Sequence, residues 1–238
     1  MLCFPHAGGS ASYYFQLSQS LSPGIEVLAV QYPGRQDRRH EPCIDSIQDL
    51  ADHISGALSP WADRPLAFFG HSMGAIVAFE VARRFQGHAA AVPSRLFASG
   101  RRAPSRHRDE DIHLRDDDGV VAELRRVGGT DQRVLDDNEL RAVILPVTRC
   151  DYRANETYAW APGPLLDCPI TALVGESDPH VTIDEAAAWG DHCAGEFDLR
   201  VFPGGHFYLD ACMPDVIETI SASVKGISRA TSFKGNAS

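Results

Sequence analysis

Lysine is almost missing from this chain. Of its 22 basic residues only Lys225 and Lys234 are lysines, and the other 20 are arginines. The bias hints at a GC-rich genome and carries no chemistry by itself. Long apolar runs are missing too: none approaches the roughly 18 residues of a membrane-spanning helix, so insertion into a bilayer is not expected. No basic leader followed by an apolar stretch opens the chain, so a cytoplasmic location is expected rather than secretion. The six cysteines, at positions 3, 43, 150, 168, 193 and 212, form no C-x-x-C pair or other metal-ligand spacing. They read as reduced, mostly buried thiols. A net charge of −10 argues against nucleic acid as a partner. No internal repeat is evident. What remains is 238 residues with 44% hydrophobic content, enough for one α/β domain with a sizeable core. Nothing demands more than a monomer.

The most informative stretch present is Gly70-His71-Ser72-Met73-Gly74. It follows an apolar run, Pro65 to Phe69, and opens a helix-like run, Ala75 to Arg84. Strand, sharp turn and helix are the context of the nucleophile elbow G-x-S-x-G. The turn forces the serine into a strained backbone region, for which the flanking glycines leave room. The helix that follows aims its N-terminal amides at the spot where an oxyanion would develop.

A serine hydroxyl needs an imidazole to take its proton and a carboxylate to orient that imidazole. Where this elbow serves, the partners follow in chain order: serine, acid, histidine. The apolar segment Cys168 to Gly175 reads as a strand with Glu176-Ser177-Asp178 at its end. Asp178 is preferred because its loop position clears the strand; Glu176 and Asp184 are competitors. Phe197 to Phe202 reads as another strand, followed by Pro203-Gly204-Gly205-His206, and His206 is preferred as the base. Its rival His180 stands only two residues from Asp178, too close in sequence to bridge easily to Ser72. His71 more naturally shapes the site than ionises in it. His40, His53, His88, His107, His113 and His192 lie in polar contexts and are expected to be solvated. The opening Leu2-Cys3-Phe4-Pro5-His6-Ala7-Gly8-Gly9 reads as a strand running into a glycine-rich turn. Such a turn supplies a second oxyanion donor, which makes the backbone N–H groups of Ala7 and Met73 the candidate pair.

Four blocks then stand in order: Phe4-Pro5-His6-Ala7-Gly8-Gly9-Ser10-Ala11, Gln31-Tyr32-Pro33-Gly34-Arg35, Gly70-His71-Ser72-Met73-Gly74-Ala75 and Gly204-Gly205-His206-Phe207. Together they resemble the type II thioesterases that accompany polyketide synthases and nonribosomal peptide synthetases. The resemblance runs from residue 1 to about 224, with further matches at Ile112-His113-Leu114, Leu145-Pro146 and Glu156-Thr157-Tyr158. It implies an α/β-hydrolase fold and hydrolysis of misprimed or stalled acyl groups from the phosphopantetheine thiol of acyl or peptidyl carrier proteins. It carries Ser72, Asp178 and His206 over as a triad. No metal or cofactor is implied, because the pantetheine belongs to the carrier. Two departures stand out: Cys150 where the family often has alanine, and a chain that begins directly on the first strand, where either the start is internal or an additional edge strand is dispensed with, leaving an exposed sheet edge. A product-releasing terminal thioesterase and a general esterase or lipase are the alternatives. A non-catalytic binding relative would require a broken triad.

Strands near 1–5, 25–30, 65–70, 95–99, 169–175 and 197–202 alternate with helices near 11–21, 46–58, 73–86, 183–193 and 212–224. The alternation predicts a mostly parallel sheet with helices on both faces. The interval 103–160 breaks it, with amphipathic helices at 120–126 and 137–145, and reads as a helical lid over the serine. Its apolar positions serve equally as plain helix core. A disordered tail is expected from residue 225. Arginines at 35, 38 and 39, and at 101, 102, 106 and 108, would steer an acidic carrier to the entrance. A salt-bridged surface accounts for them equally well.

Overall fold

Short apolar runs bounded by turn residues become strands here, and the central ones, Ala67–His71 and Ile170–Gly175, are buried at every residue. The computed structural model describes residues 1–61, 64–87 and 92–234, so His88 lies outside the described residues. All six expected strands form: β1 (Leu2–Phe4), β2 (Leu28–Ala29), β3 (Ala67–His71), β4 (Arg95–Ser99), β5 (Ile170–Gly175) and β6 (Phe197–Phe202). They pair in parallel in the order β2-β1-β3-β4-β5-β6, with Phe4 beside Gly70 and His71 beside Ser99. The sheet edges are the two-residue β2 and β6, whose Asp198 and Arg200 pair with each other at 2.7 Å. Short or charged edges resist pairing with another chain.

The two-residue period of the strands splits the core between the faces. Leu2, Phe4, Phe68, Leu96, Ala98, Ile170 and Ala172 pack with α2 (Ile47–Leu58) and α3 (Met73–Gly87). Met1, Cys3, Ala67, Phe69 and Phe97 pack on the other face with α1 (Phe15–Leu21) and with Leu209, Val216 and Ile220. Every residue of α3 from Met73 to Ala82 is buried, so this helix is fixed on all sides.

The β4–β5 connection carries α4 (Asp117–Val127), α5 (Gln132–Asp136) and α6 (Asn138–Glu156). Asp116, Asp131 and Asp137 cap them, each side chain accepting from backbone N–H groups of the first turn. Both helices expected in this interval form, and Ile112, Val120, Val121, Leu124, Leu135 and Leu145 make a small core of their own. The short α5 had no signal, since five residues show no helical period. Beyond it come α7 (Ile183–Ala187) and α8 (Leu209–Lys234). The last helix continues past residue 225, where a tail without regular structure was expected, and residues 235–238 lie outside the described residues. No proline follows Pro214 there, and a helix already nucleated extends at little cost per residue.

The strand order reverses between β1 and β3: the chain leaves β1 for β2 on one side and returns to β3 on the other. Loops at such a switch point diverge and leave a crevice beyond the strand C-termini, where open α/β sheets bind ligands. The turn after β1 is tied down by a buried ion pair. Asp151 of α6, 1% exposed, receives both terminal nitrogens of Arg35, at 2.6 and 2.8 Å, and the Gly8 N–H at 2.7 Å. Arg35 also donates to the carbonyls of Gly9 at 3.1 Å and Pro33 at 3.3 Å. Asp151→Ala would strand a buried guanidinium and a backbone N–H, so we expect a loss of about 3–5 kcal/mol in unfolding free energy. Urea denaturation measures it; a loss below about 1 kcal/mol would rule the clamp out as a structural element.

Candidate active site

Ser72 occupies the single residue between β3 and α3, at φ 55°. Its N–H donates to the Ser99 carbonyl at 2.8 Å and its own carbonyl accepts from Ala75 N–H at 3.0 Å, which holds the left-handed conformation in place. The neighbouring glycines answer to backbone approach. A Cβ on Gly70 would collide with the Gly74 carbonyl, and one on Gly74 with the Phe4 carbonyl. Strand β1, strand β3 and the first turn of α3 therefore meet without side chains between them.

Asp178 follows β5 and His206 follows β6, so both rise from the edge that carries Ser72. The structure brings the three together. His206 Nε2 lies 2.9 Å from Ser72 Oγ, and His206 Nδ1 lies 2.8 Å from Asp178 Oδ2. With the proton on Nδ1, the ring donates to the carboxylate and accepts from the serine hydroxyl. The other Asp178 oxygen accepts the His180 N–H at 2.8 Å. Glu176 and Asp184 are exposed and take no part. Ala7 lines the cavity with Ser72 and His206, and Met73 opens α3. Neither backbone N–H is used in a hydrogen bond among the described residues.

Burial lowers the pKa of His206 below its ordinary 6.5 in spite of the Asp178 hydrogen bond, and the charges of His180 and Arg101 act in the same direction. His180, its rival in the sequence, has another place. Its Nε2 lies 3.1 Å from Glu123 of α4, and its Nδ1 lies 3.8 Å from Glu110. Burial works against its charge, but these two carboxylates outweigh burial and raise its pKa.

A thioesterase domain model matches residues 1–224. This chain belongs to the thioesterase domain family. Among curated proteins it is 50% identical over 222 residues to thioesterase PikA5 of Streptomyces venezuelae, covering 93% of this chain and 79% of that one. Among solved structures it is similar to the type II thioesterase BorB from the borrelidin biosynthetic cluster. The TM-score is 0.88 at 48% identity, with 93% of this chain and 91% of that one covered. The RedJ thioesterase of the prodiginine pathway in Streptomyces coelicolor gives a TM-score of 0.89 at 36% identity, over 93% and 89% of the two chains. The resemblance to type II thioesterases read from the four blocks is borne out, as is the α/β-hydrolase fold.

Several side chains of this thioesterase stand elsewhere than the sequence suggested. His192 is buried rather than solvated, bonded to Ser105 Oγ at 2.9 Å and packed edge-on against Trp160 and Phe79. His113 is mostly buried and bonds Glu156, whose carboxylate also caps the Ile112 and His113 N–H groups. Single polar neighbours in sequence do not reveal such tertiary partners. His71 is fully buried, with Nδ1 2.9 Å from Ser99 Oγ, and its ring centre lies 5.1 Å from that of His206. The arginine clusters are largely consumed inside the thioesterase. Arg35, Arg101 and Arg102 are buried; Arg102 pairs with Glu110, Arg108 with Glu185 and Arg38 with Glu41. Only Arg39 and Arg106 of the two groups are exposed. Glu110, Glu123 and Asn155 are cavity or near-cavity residues that the sequence did not single out, and Arg101, read there as one of the steering arginines, lines the cavity instead. Its position after a strand C-terminus was the signal for that place.

His206 is expected to stay neutral at pH 7 and to gain its proton only below pH 6.5, the ordinary imidazole value. NMR titration of its ring nitrogens tests this, and a midpoint above 6.5 would contradict the dominance of burial.

Proposed function

We propose that this protein is a type II thioesterase that hydrolyses acyl groups from the phosphopantetheine thiol of acyl or peptidyl carrier proteins in polyketide or nonribosomal peptide assembly. The observation that carries the chemistry is the hydrogen-bonded series from Ser72 through His206 to Asp178 in the crevice beyond the strands. The carrier substrate is supported by the likeness to PikA5, to BorB of the borrelidin cluster and to RedJ of the prodiginine pathway.

In this reading His206 Nε2 takes the Ser72 proton as Oγ bonds to the thioester carbonyl carbon. The carbonyl oxygen gathers negative charge, which the N–H groups of Ala7 and Met73 receive. Asp178 holds the Nδ1–H tautomer and balances the imidazolium. Collapse breaks the carbon–sulfur bond, His206 returns the proton to the departing thiol, and an acyl-serine remains. Water then adds with the same base and releases the free acid and Ser72. No step calls for a metal or organic cofactor. The lowered His206 pKa serves this directly, because a base must be unprotonated at working pH.

The connection from 103 to 160 acts as the lid: Ile112, Leu124, Val127 and Tyr152 line the cavity that holds Ser72. It excludes bulk water from the acyl group and strengthens the electrostatics inside. Among the described residues no helix is long and apolar enough to cross a membrane. The six free cysteines fit a reducing, cytoplasmic setting.

Ser72→Ala is expected to lower kcat/KM on acetyl- and propionyl-loaded carrier proteins by about 10³-fold or more, with an unchanged melting temperature. Turnover retained within tenfold would refute the serine mechanism. With wild-type protein, carrier-bound acyl groups are expected to react faster than the same groups on small thiols. Equal rates on both would argue for a general esterase.

A further inference from the structure

Among the described residues, three side chains of the cavity wall hold a buried polar atom without a hydrogen-bond partner: His6 at Nδ1, Arg101 at Nε and Asn155 at Oδ1. The last two are a donor and an acceptor from opposite sides of the chain's β4–β5 connection. Arg101, the second residue after β4, is 8% exposed, and its Nε is buried without a hydrogen-bond partner. Its backbone is fixed, since its carbonyl accepts the Trp189 Nε1–H at 2.8 Å. The nearby acid Glu110 is already held by Arg102, at 2.6 and 3.2 Å. Asn155 of α6 is 9% exposed, and its Oδ1 is likewise buried and unpartnered. Both residues line the cavity that contains Ser72 and His206. Buried polar groups are almost always satisfied, and each unsatisfied one asks for a reason.

We infer that Arg101 and Asn155 form a donor–acceptor subsite beside Ser72 for a substrate group that both accepts and donates a hydrogen bond. Two groups of the proposed substrate have that chemistry: a hydroxyl on the acyl chain, and the secondary amide of the carrier arm nearest the sulfur. A hydroxyl takes the guanidinium N–H on a lone pair and gives its proton to Asn155 Oδ1; an amide does the same with its carbonyl and its N–H. A saturated chain leaves both protein groups bare. A carboxylate satisfies Arg101 but turns its lone pairs on those of Oδ1. The inference rests on the thioester-hydrolase reading above and adds the polar group that the cavity selects.

The test compares kcat/KM for four small thioesters: butyryl and 3-hydroxybutyryl, each on N-acetylcysteamine and on propanethiol. The hydroxyl ratio compares acyl groups on one thiol; the amide ratio compares thiols under one acyl group. Each is read in wild type, Arg101→Met and Asn155→Leu. Leaving-group differences, and any change in His206 basicity, cancel when ratios are compared between proteins. At least one ratio is expected to fall about tenfold or more in Arg101→Met, as befits a lost hydrogen bond to a charged donor. The same ratio falls by a smaller factor in Asn155→Leu, and the ratio that falls identifies the bound group. Unchanged ratios in both variants, or an equal drop for all four substrates, would overturn the inference. If Arg101→Met fails to fold by thermal melting, Asn155→Leu decides alone. No turnover of any thioester by wild type would sink the hydrolase reading itself, and the inference with it.

Discussion

Everything at this site hangs on a meeting of bare backbone. The carbonyls of Phe4 and Gly74 lie where Cβ atoms on Gly74 and Gly70 would otherwise sit, so β1, β3 and the head of α3 close on one another as main chain alone. That contact sets two features at once. It forces the elbow tight enough to hold Ser72 at φ 55°, and it brings the turn after β1 alongside the first amides of α3. A side chain at either glycine would push the two turns apart, and strain at Ser72 persists only because its surroundings over-determine it. The all-round burial of α3 supplies that rigidity.

The same edge gathers histidines whose charge states are sorted by their surroundings. His6, His71 and His206 are buried, and burial is the leading cause that lowers each of their pKa values, His6 to about 3. His180, one ring away from His206 at 5.1 Å, goes the other way because Glu110 and Glu123 face it. Neutral imidazoles can therefore pack against Tyr13 and Phe207 beside Ser72, while the Glu110 and Glu123 carboxylates favour the charged form of His180. The −10 net charge says nothing of this local order, since most of the arginines that looked free in sequence are spent on internal pairs.

The Arg35–Asp151 pair explains why distant blocks of sequence belong together. Arg35 closes the Gln31-Tyr32-Pro33-Gly34-Arg35 block and Asp151 lies in the β4–β5 connection, yet both grip the Gly8-Gly9 turn. A helical insertion that covers the cavity is thereby fastened to the turn that lines it. A buried pair of this kind is a weak source of net stability and a strong source of geometric definition, because either partner alone is heavily penalised.

Local pattern sufficed for much of this protein. Short runs ended by glycine or proline marked most of the strands, G-x-S-x-G marked the elbow, and the places of Ser72, Asp178 and His206 just past β3, β5 and β6 marked the edge where they stand. These are legible because a buried parallel strand and a tight turn are dictated by near neighbours in the chain. Contacts across the fold decided the rest. That Arg35 and Arg101 are buried while Arg39 is exposed, that His180 turns to Glu123 and not to Ser72, and that His192 lies among aromatic rings, all depend on residues tens of positions away. Burial and charge partnership are properties of three-dimensional neighbours. A sequence names the groups able to ionise, and only the fold sets which of them do.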